Sequence, residues 1–208
     1  MGKTASLPVG CFLVVAFAAQ VCAGPATELQ ILLPGQTATP GVAPGKTDSP
    51  SVQTAGAPFL VTVAALDSDW NPADSTATVR LTFDDIFASS VPEQILQNGS
   101  TVFSLVLITG NVGALDVSNR YTILTASDVT NPPYQNPLAF STAAVPVTAS
   151  PAAVYLLLLM PGQTHVPGRP PYAPTGEGWY PGGASGTPST WLAGTTYYAT
   201  IAACDKYW

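Results

Sequence analysis

Residues 32 to 41 read LLPGQTATPG, and residues 159 to 168 read LMPGQTHVPG. A ten-residue phrase written twice in a chain of 208 residues limits the possible folds more than any single segment does. Self-similarity at a fixed spacing marks a repeated structural unit. Pro34-Gly35-Gln36-Thr37 stands 127 places before Pro161-Gly162-Gln163-Thr164, and Pro40-Gly41 precedes Pro167-Gly168 by the same interval. The likeness then resumes after a shift of eleven. Pro50 matches Pro188, Ala55-Gly56 matches Ala193-Gly194, and FLVTVAALDSDW (59–70) matches YYATIAACDKYW (197–208). The eleven extra residues fall in PPYAPTGEGWYPGGASG, a Pro/Gly-rich stretch that reads as a surface loop, where insertions cost little.

The second copy reaches Trp208 where the first continues with NPADSTATVRLTF. The expected organisation is therefore a leader over 1–23, one complete unit over 27–149, and the opening of a second over 150–208, within a longer repeat protein. In the complete copy, apolar residues alternate along short runs bounded by turn formers, the mark of half-buried strands. The runs are LQILL (29–33), FLVTVAAL (59–66), TATVRLTF (76–83), TVFSLVLI (101–108), RYTILTA (120–126) and STAAVPVT (141–148). Phe59, Val61, Val63 and Ala65 share one face, as do Ala77, Val79, Leu81 and Phe83, and again Phe103, Leu105 and Leu107. Six such strands without a helical period predict an all-β, immunoglobulin-like antiparallel β-sandwich. Tyr121 is placed either as a tyrosine corner or as a plain half-buried strand aromatic.

Composition agrees. Only 9% of residues are charged, whereas Pro and Gly number 21 and 18. A hydrophobic share of 47% with a net charge of −6 argues against disorder. Six basic residues offer no patch for nucleic acid. Lys3, the apolar run CFLVVAFAA (11–19) and Val21-Cys22-Ala23 have the form of a signal peptide cut before Gly24, too short to span a bilayer. The mature chain is thus expected to be exported, extracellular or at the cell surface, with no membrane span. Cys11 and Cys22 leave with the leader, so Cys204 has no partner for a disulfide.

The run LLPGQTATPG…GKTDSPSVQTAGAPFLVTVAALDSDWN, followed by LQNGSTVFSLVL and YTILTASDVTNP, resembles the bacterial Ig-like tandem repeats of large exported, cell-surface proteins. The resemblance covers residues 28–149 and the start of the next copy. GNVGALDVSN (110–119) is longer than the corresponding segment of such repeats, which puts the register of the penultimate strand in question. Members of that group serve as spacers, stalks or adhesive modules, and the resemblance implies such a role here.

Several short motifs invite chemistry. APGKT (43–47) suggests a phosphate loop, but Pro40 occupies the first glycine position and no helix follows. Asp67, Asp69 and Asn71 have a calcium-loop spacing, yet Pro72 and Thr78 stand where a turn glycine and a bidentate Glu are needed. The second copy keeps one carboxylate of that set, Asp205. An Asp that bonds turn amides at a strand end, with Trp70 and Trp208 packed beneath, is the competing expectation. Asp84-Asp85, with Glu93 nearby, reads as a solvated loop, since neighbours on a strand face opposite ways. His165 reads as surface, and Cys204, at the Leu66 position, as a small apolar residue. Asn98-Gly99-Ser100 is a formal glycosylation sequon.

No catalytic, cofactor or metal site is expected, and the chain is read as a non-enzyme. The expected function is a structural spacer or stalk module whose partners are neighbouring repeats of the same chain. Two alternatives stand beside it. One is an adhesion or carbohydrate-binding module, holding a surface glycan or protein ligand with the aromatic insertion around Tyr172, Trp179 and Tyr180. The other is an accessory domain of an exported enzyme.

Overall fold

The computed structural model describes residues 24–112, 121–130, 137–172 and 182–208. The expected leader over 1–23, the greater part of the long 110–119 segment, and Trp179 and Tyr180 lie outside these residues. The described chain is all-β, with no helix among the described residues and several antiparallel sheets.

The strands in order are β1 (Glu28–Leu32), β2 (Thr37–Ala38), β3 (Lys46–Thr47), β4 (Gln53–Thr54), β5 (Pro58–Leu66), β6 (Thr78–Phe83), β7 (Gln94–Ile95) and β8 (Ser100–Val106). They continue as β9 (Thr122–Asp128), β10 (Ser141–Val145), β11 (Val147–Thr148), β12 (Tyr155–Leu159), β13 (Thr164–His165), β14 (Ala184–Ser185) and β15 (Thr200–Cys204). One sheet has the order β1-β5-β8, and a second β10-β9-β6-β7. Their inner faces meet in one cluster that takes in Ile31, Val61, Val63, Val79, Leu81, Phe103, Leu105, Leu124 and Val145. That arrangement is compatible with a β-sandwich. The alternation in each run decides which side chains enter the cluster, because a strand's side chains point to opposite faces in turn. Burying each such side chain contributes about 1.5–3 kcal/mol, opposed by the entropy of ordering the chain.

Backbone chemistry trims the expected strands. The run 141–148 is broken at Pro146, which has no N–H to give a ladder. Beyond it the chain changes partner. β10 pairs antiparallel with β9, whereas β11 pairs parallel with β4. Gln53 and Ala55 donate to Pro146 O and Thr148 O at 2.8 Å each, and Leu29 donates to Ala139 O at 2.9 Å. These bonds tie the start of the unit to its end and occupy backbone groups that would otherwise line open edges. The strand expected over 120–126 runs from Thr122 to Asp128 instead.

Residues 150–208 repeat the opening of this design. Glu28 pairs with Leu66 and Leu32 with Thr62; Tyr155 pairs with Cys204 and Leu159 with Thr200. The β2–β3 hairpin, with Thr37 opposite Thr47, likewise returns as β13–β14, with Thr164 opposite Ser185. The environments differ on one face only. Leu157, Ala202 and Cys204 are buried with Trp208 packed against them. The opposite face is bare. Leu29 and Val63 are 4% and 0% exposed, but their counterparts Leu156 and Ile201 are 74% and 68% exposed.

Candidate functional site

The polar side chains the sequence singled out fall at both ends of the sheets: Asp67 follows β5 at one end, and Asp85 meets the residues after β8 at the other, since β5 and β8 run antiparallel. At the end of β5, Asp67 accepts the N–H groups of Asp69 and Asn71 on Oδ1, both at 2.9 Å, and that of Gly24 on Oδ2 at 2.8 Å. The Asn71 amide nitrogen also faces both oxygens at 3.4 Å. The turn closes with Trp70 in the left-handed region, at φ 64°. These donors, Gly24 first and then Asn71, hold the Asp67 carboxyl below its ordinary value. The copy is built alike. Asp205 accepts Tyr207 N–H at 2.8 Å and Ser150 N–H at 2.7 Å, and Trp208 has φ 70°. The aspartate therefore fastens the first residues of each unit to the end of its second long strand. Asp69 is exposed, and Asn71 turns its donor toward Asp67, which is geometry for a braced turn and not for a ring of oxygen ligands. Among the described residues no group of three or more His, Cys, Asp or Glu is placed to hold a metal ion.

Asp85 departs from expectation. It is 5% exposed, not solvated. Its Oδ2 accepts the N–H groups of Ile108 and Thr109 at 2.7 and 2.9 Å, and its Oδ1 accepts the Thr109 hydroxyl at 2.7 Å and Phe87 N–H at 3.2 Å. Asp84 points the other way and accepts Ile123 N–H at 2.9 Å. The alternation argument placed the two carboxylates on opposite sides correctly. It missed that another chain segment covers Asp85, while Asp84 stays exposed as expected. Asn111, which drew no attention in the sequence, is buried and ties three strand ends together. Its amide nitrogen donates to Thr122 Oγ1 at 3.0 Å and Val145 O at 3.2 Å, and its oxygen accepts Val147 N–H at 2.8 Å. An Asn between strands reads as a turn former, so no local signal marks this role.

Two open clefts flank these residues. One, of about 360 Å³, is lined by Asp84, Phe87, Thr109, Tyr121, Val166 and Pro167 among others. The other, of about 410 Å³, is lined by Gln36, Lys46, Tyr121, Thr142 and Pro146 among others. Lys46 sits in the β2–β3 hairpin and donates to Ile31 O at 2.7 Å, so the lysine of APGKT braces a strand in a hairpin and not a strand-to-helix loop. Burial lowers its pKa. Tyr121 is 44% exposed between the clefts, a surface aromatic at the start of β9. His165 lies in β13 with Nε2 at 2.6 Å from Trp208 O, so it is part of the fold and not loose surface. Cys204 is buried as a small apolar residue, and burial pushes its thiol pKa up, away from a reactive thiolate. Asn98-Gly99 forms the tight turn between β7 and β8, with Gln97 bridged to Ser100. Asp67, Asp85 and Asp205 each accept two or more donors from the fold, which is the chemistry of bracing.

No protein-family model, curated protein or solved structure matches this chain.

Proposed function

We propose that the chain is a non-catalytic, exported module of immunoglobulin type, acting as a structural spacer or stalk unit in a larger bacterial surface or secreted protein. The observation that carries this reading is the recurrence of one design. Strand register, hairpin and aspartate-braced turn all return in residues 150–208, with the aspartate oxygens spent on backbone donors both times. A repeated site for a ligand would keep its ligating side chains; a repeated spacer keeps its scaffold.

The immunoglobulin assignment is supported by connectivity. β1, β5 and β8 follow the order of strands A, B and E, while β6, β9 and β10 follow C, F and G, with β7 added beside β6. Tension applied to the two ends of this unit would load β1 and β4 against residue 139 and β11 in shear, because those pairings are parallel. Several hydrogen bonds must then break together, which suits a stalk. The adhesive alternative loses one of its expected carriers, since Tyr172 donates to Gly168 O at 2.6 Å and packs edge-on to Tyr207.

Force spectroscopy on the chain, held at both ends, tests the proposal. The expected trace has a discrete unfolding step releasing about 400 Å, at roughly 3.3–3.6 Å per extended residue. Smooth lengthening without a step would overturn the spacer reading.

A further inference from the structure

Where residues 150–208 meet the first unit, one aromatic side chain crosses the boundary. Tyr207 packs against the core cluster of the first unit. The hydroxyl edge of its ring lies against Gly56, between β4 and β5, so closely that a β-carbon on that glycine would overlap it. Gly56 adopts φ 73° and donates its N–H to Leu107 O at 2.7 Å, which fixes the floor of the notch to the end of β8. The rim is built from the second segment. Gly168 donates to Tyr207 O at 3.0 Å, and the Tyr172 ring stands at 5.2 Å and 86° to that of Tyr207. Gly168 in turn abuts Thr109 and Phe87, both held by Asp85.

The internal repeat supplies two controls. The residue corresponding to Tyr207 in the first unit is Asp69, which is exposed, yet the aspartate-braced turn forms there equally well. The turn therefore does not require the aromatic. The residue corresponding to Gly56 is Gly194, with the same backbone conformation at φ 83° and nothing within 4 Å of where a β-carbon would stand.

We propose that Tyr207 seated on Gly56 is an interlock between successive units, by which the end of one unit recognises the following unit through the aromatic two places after its turn aspartate. The interlock couples opening of the second segment to the integrity of the first. It makes the pair stiff and directional, whatever the assembled protein is for.

Two measurements on the full chain test it from opposite sides. Gly56→Ala changes only the first unit, and the readout is alkylation of buried Cys204 in the second, followed by peptide mass mapping. Labelling is expected to rise about tenfold, within the usual range for coupling between sites. Tyr207→Ser changes only the second segment, and the readout is hydrogen exchange at the Gly56 amide. Exchange there is expected to rise about tenfold, while Tyr207→Phe, which keeps the ring, leaves it near wild type. If Gly56→Ala unfolds the first unit, the Tyr207 pair still decides the matter. Unchanged Gly56 exchange in Tyr207→Ser, or unchanged Cys204 labelling in a folded Gly56→Ala, overturns the interlock.

Discussion

Replacing Asp85 by Ala should be among the most damaging changes outside the apolar core. Its carboxylate accepts three backbone N–H groups and one hydroxyl, joining the loop after β6 to the residues after β8. The Thr109 hydroxyl can rotate to another acceptor, but the three N–H groups cannot. A hydrogen bond to a charged group is worth about 1.5–3 kcal/mol, and a buried donor left without a partner costs about 1–3 kcal/mol. Phe87, Ile108 and Thr109 are only half-buried, so water recovers part of this. The expected loss is about 3–4 kcal/mol. Asp85→Asn should lose less, about 1–2 kcal/mol. Its single oxygen can keep the Ile108 and Thr109 N–H groups, while its NH₂ faces Phe87 N–H and loses that bond. Urea unfolding followed by circular dichroism measures both. With a slope of about 2 kcal/mol per molar, the Ala variant should unfold about 1.5–2 M earlier than wild type. A shift below about 0.5 M for Ala, or equal shifts for Ala and Asn, would refute the bracing argument.

Acidification should act through Asp67, whose folded-state carboxyl lies below its ordinary value of 3.8. The stability it contributes is complete above the unfolded value and is lost as pH falls through the lower folded one. Melting temperature should therefore fall more steeply below about pH 3.8 in wild type than in Asp67→Asn, and parallel curves would sink the idea. Phe103 is fully buried between the sheets, so Phe103→Ala should cost about 3–5 kcal/mol in the same urea assay. By contrast, Arg80→Ala removes an exposed ion pair with Glu93, and a loss above about 1 kcal/mol would contradict its surface character.

Much of the molecule was legible from local pattern. Alternation in 59–66, 78–83 and 101–107 named the residues that fill the core, because a strand's two-residue period assigns each side chain to a face whatever lies opposite. The matched 59–70 and 197–208 runs hold strands with the same register, β5 against β1 and β15 against β12. An aspartate directly after a strand, followed by small turn residues, announced the Asp67 brace for the same reason, since its acceptors and two of its donors lie within four residues. Tertiary structure alone decided the rest. Asp85 is buried because Ile108 and Thr109, more than twenty residues away, bring their N–H groups to it. Asn111 joins strand ends from Thr122 to Val147, Pro146 sends the chain to β4, and Tyr207 finds Gly56 across the boundary between units. A sequence pattern records what each residue presents. Which distant donor, edge or notch it meets depends on how the sheets pack, and only the folded chain carries that information.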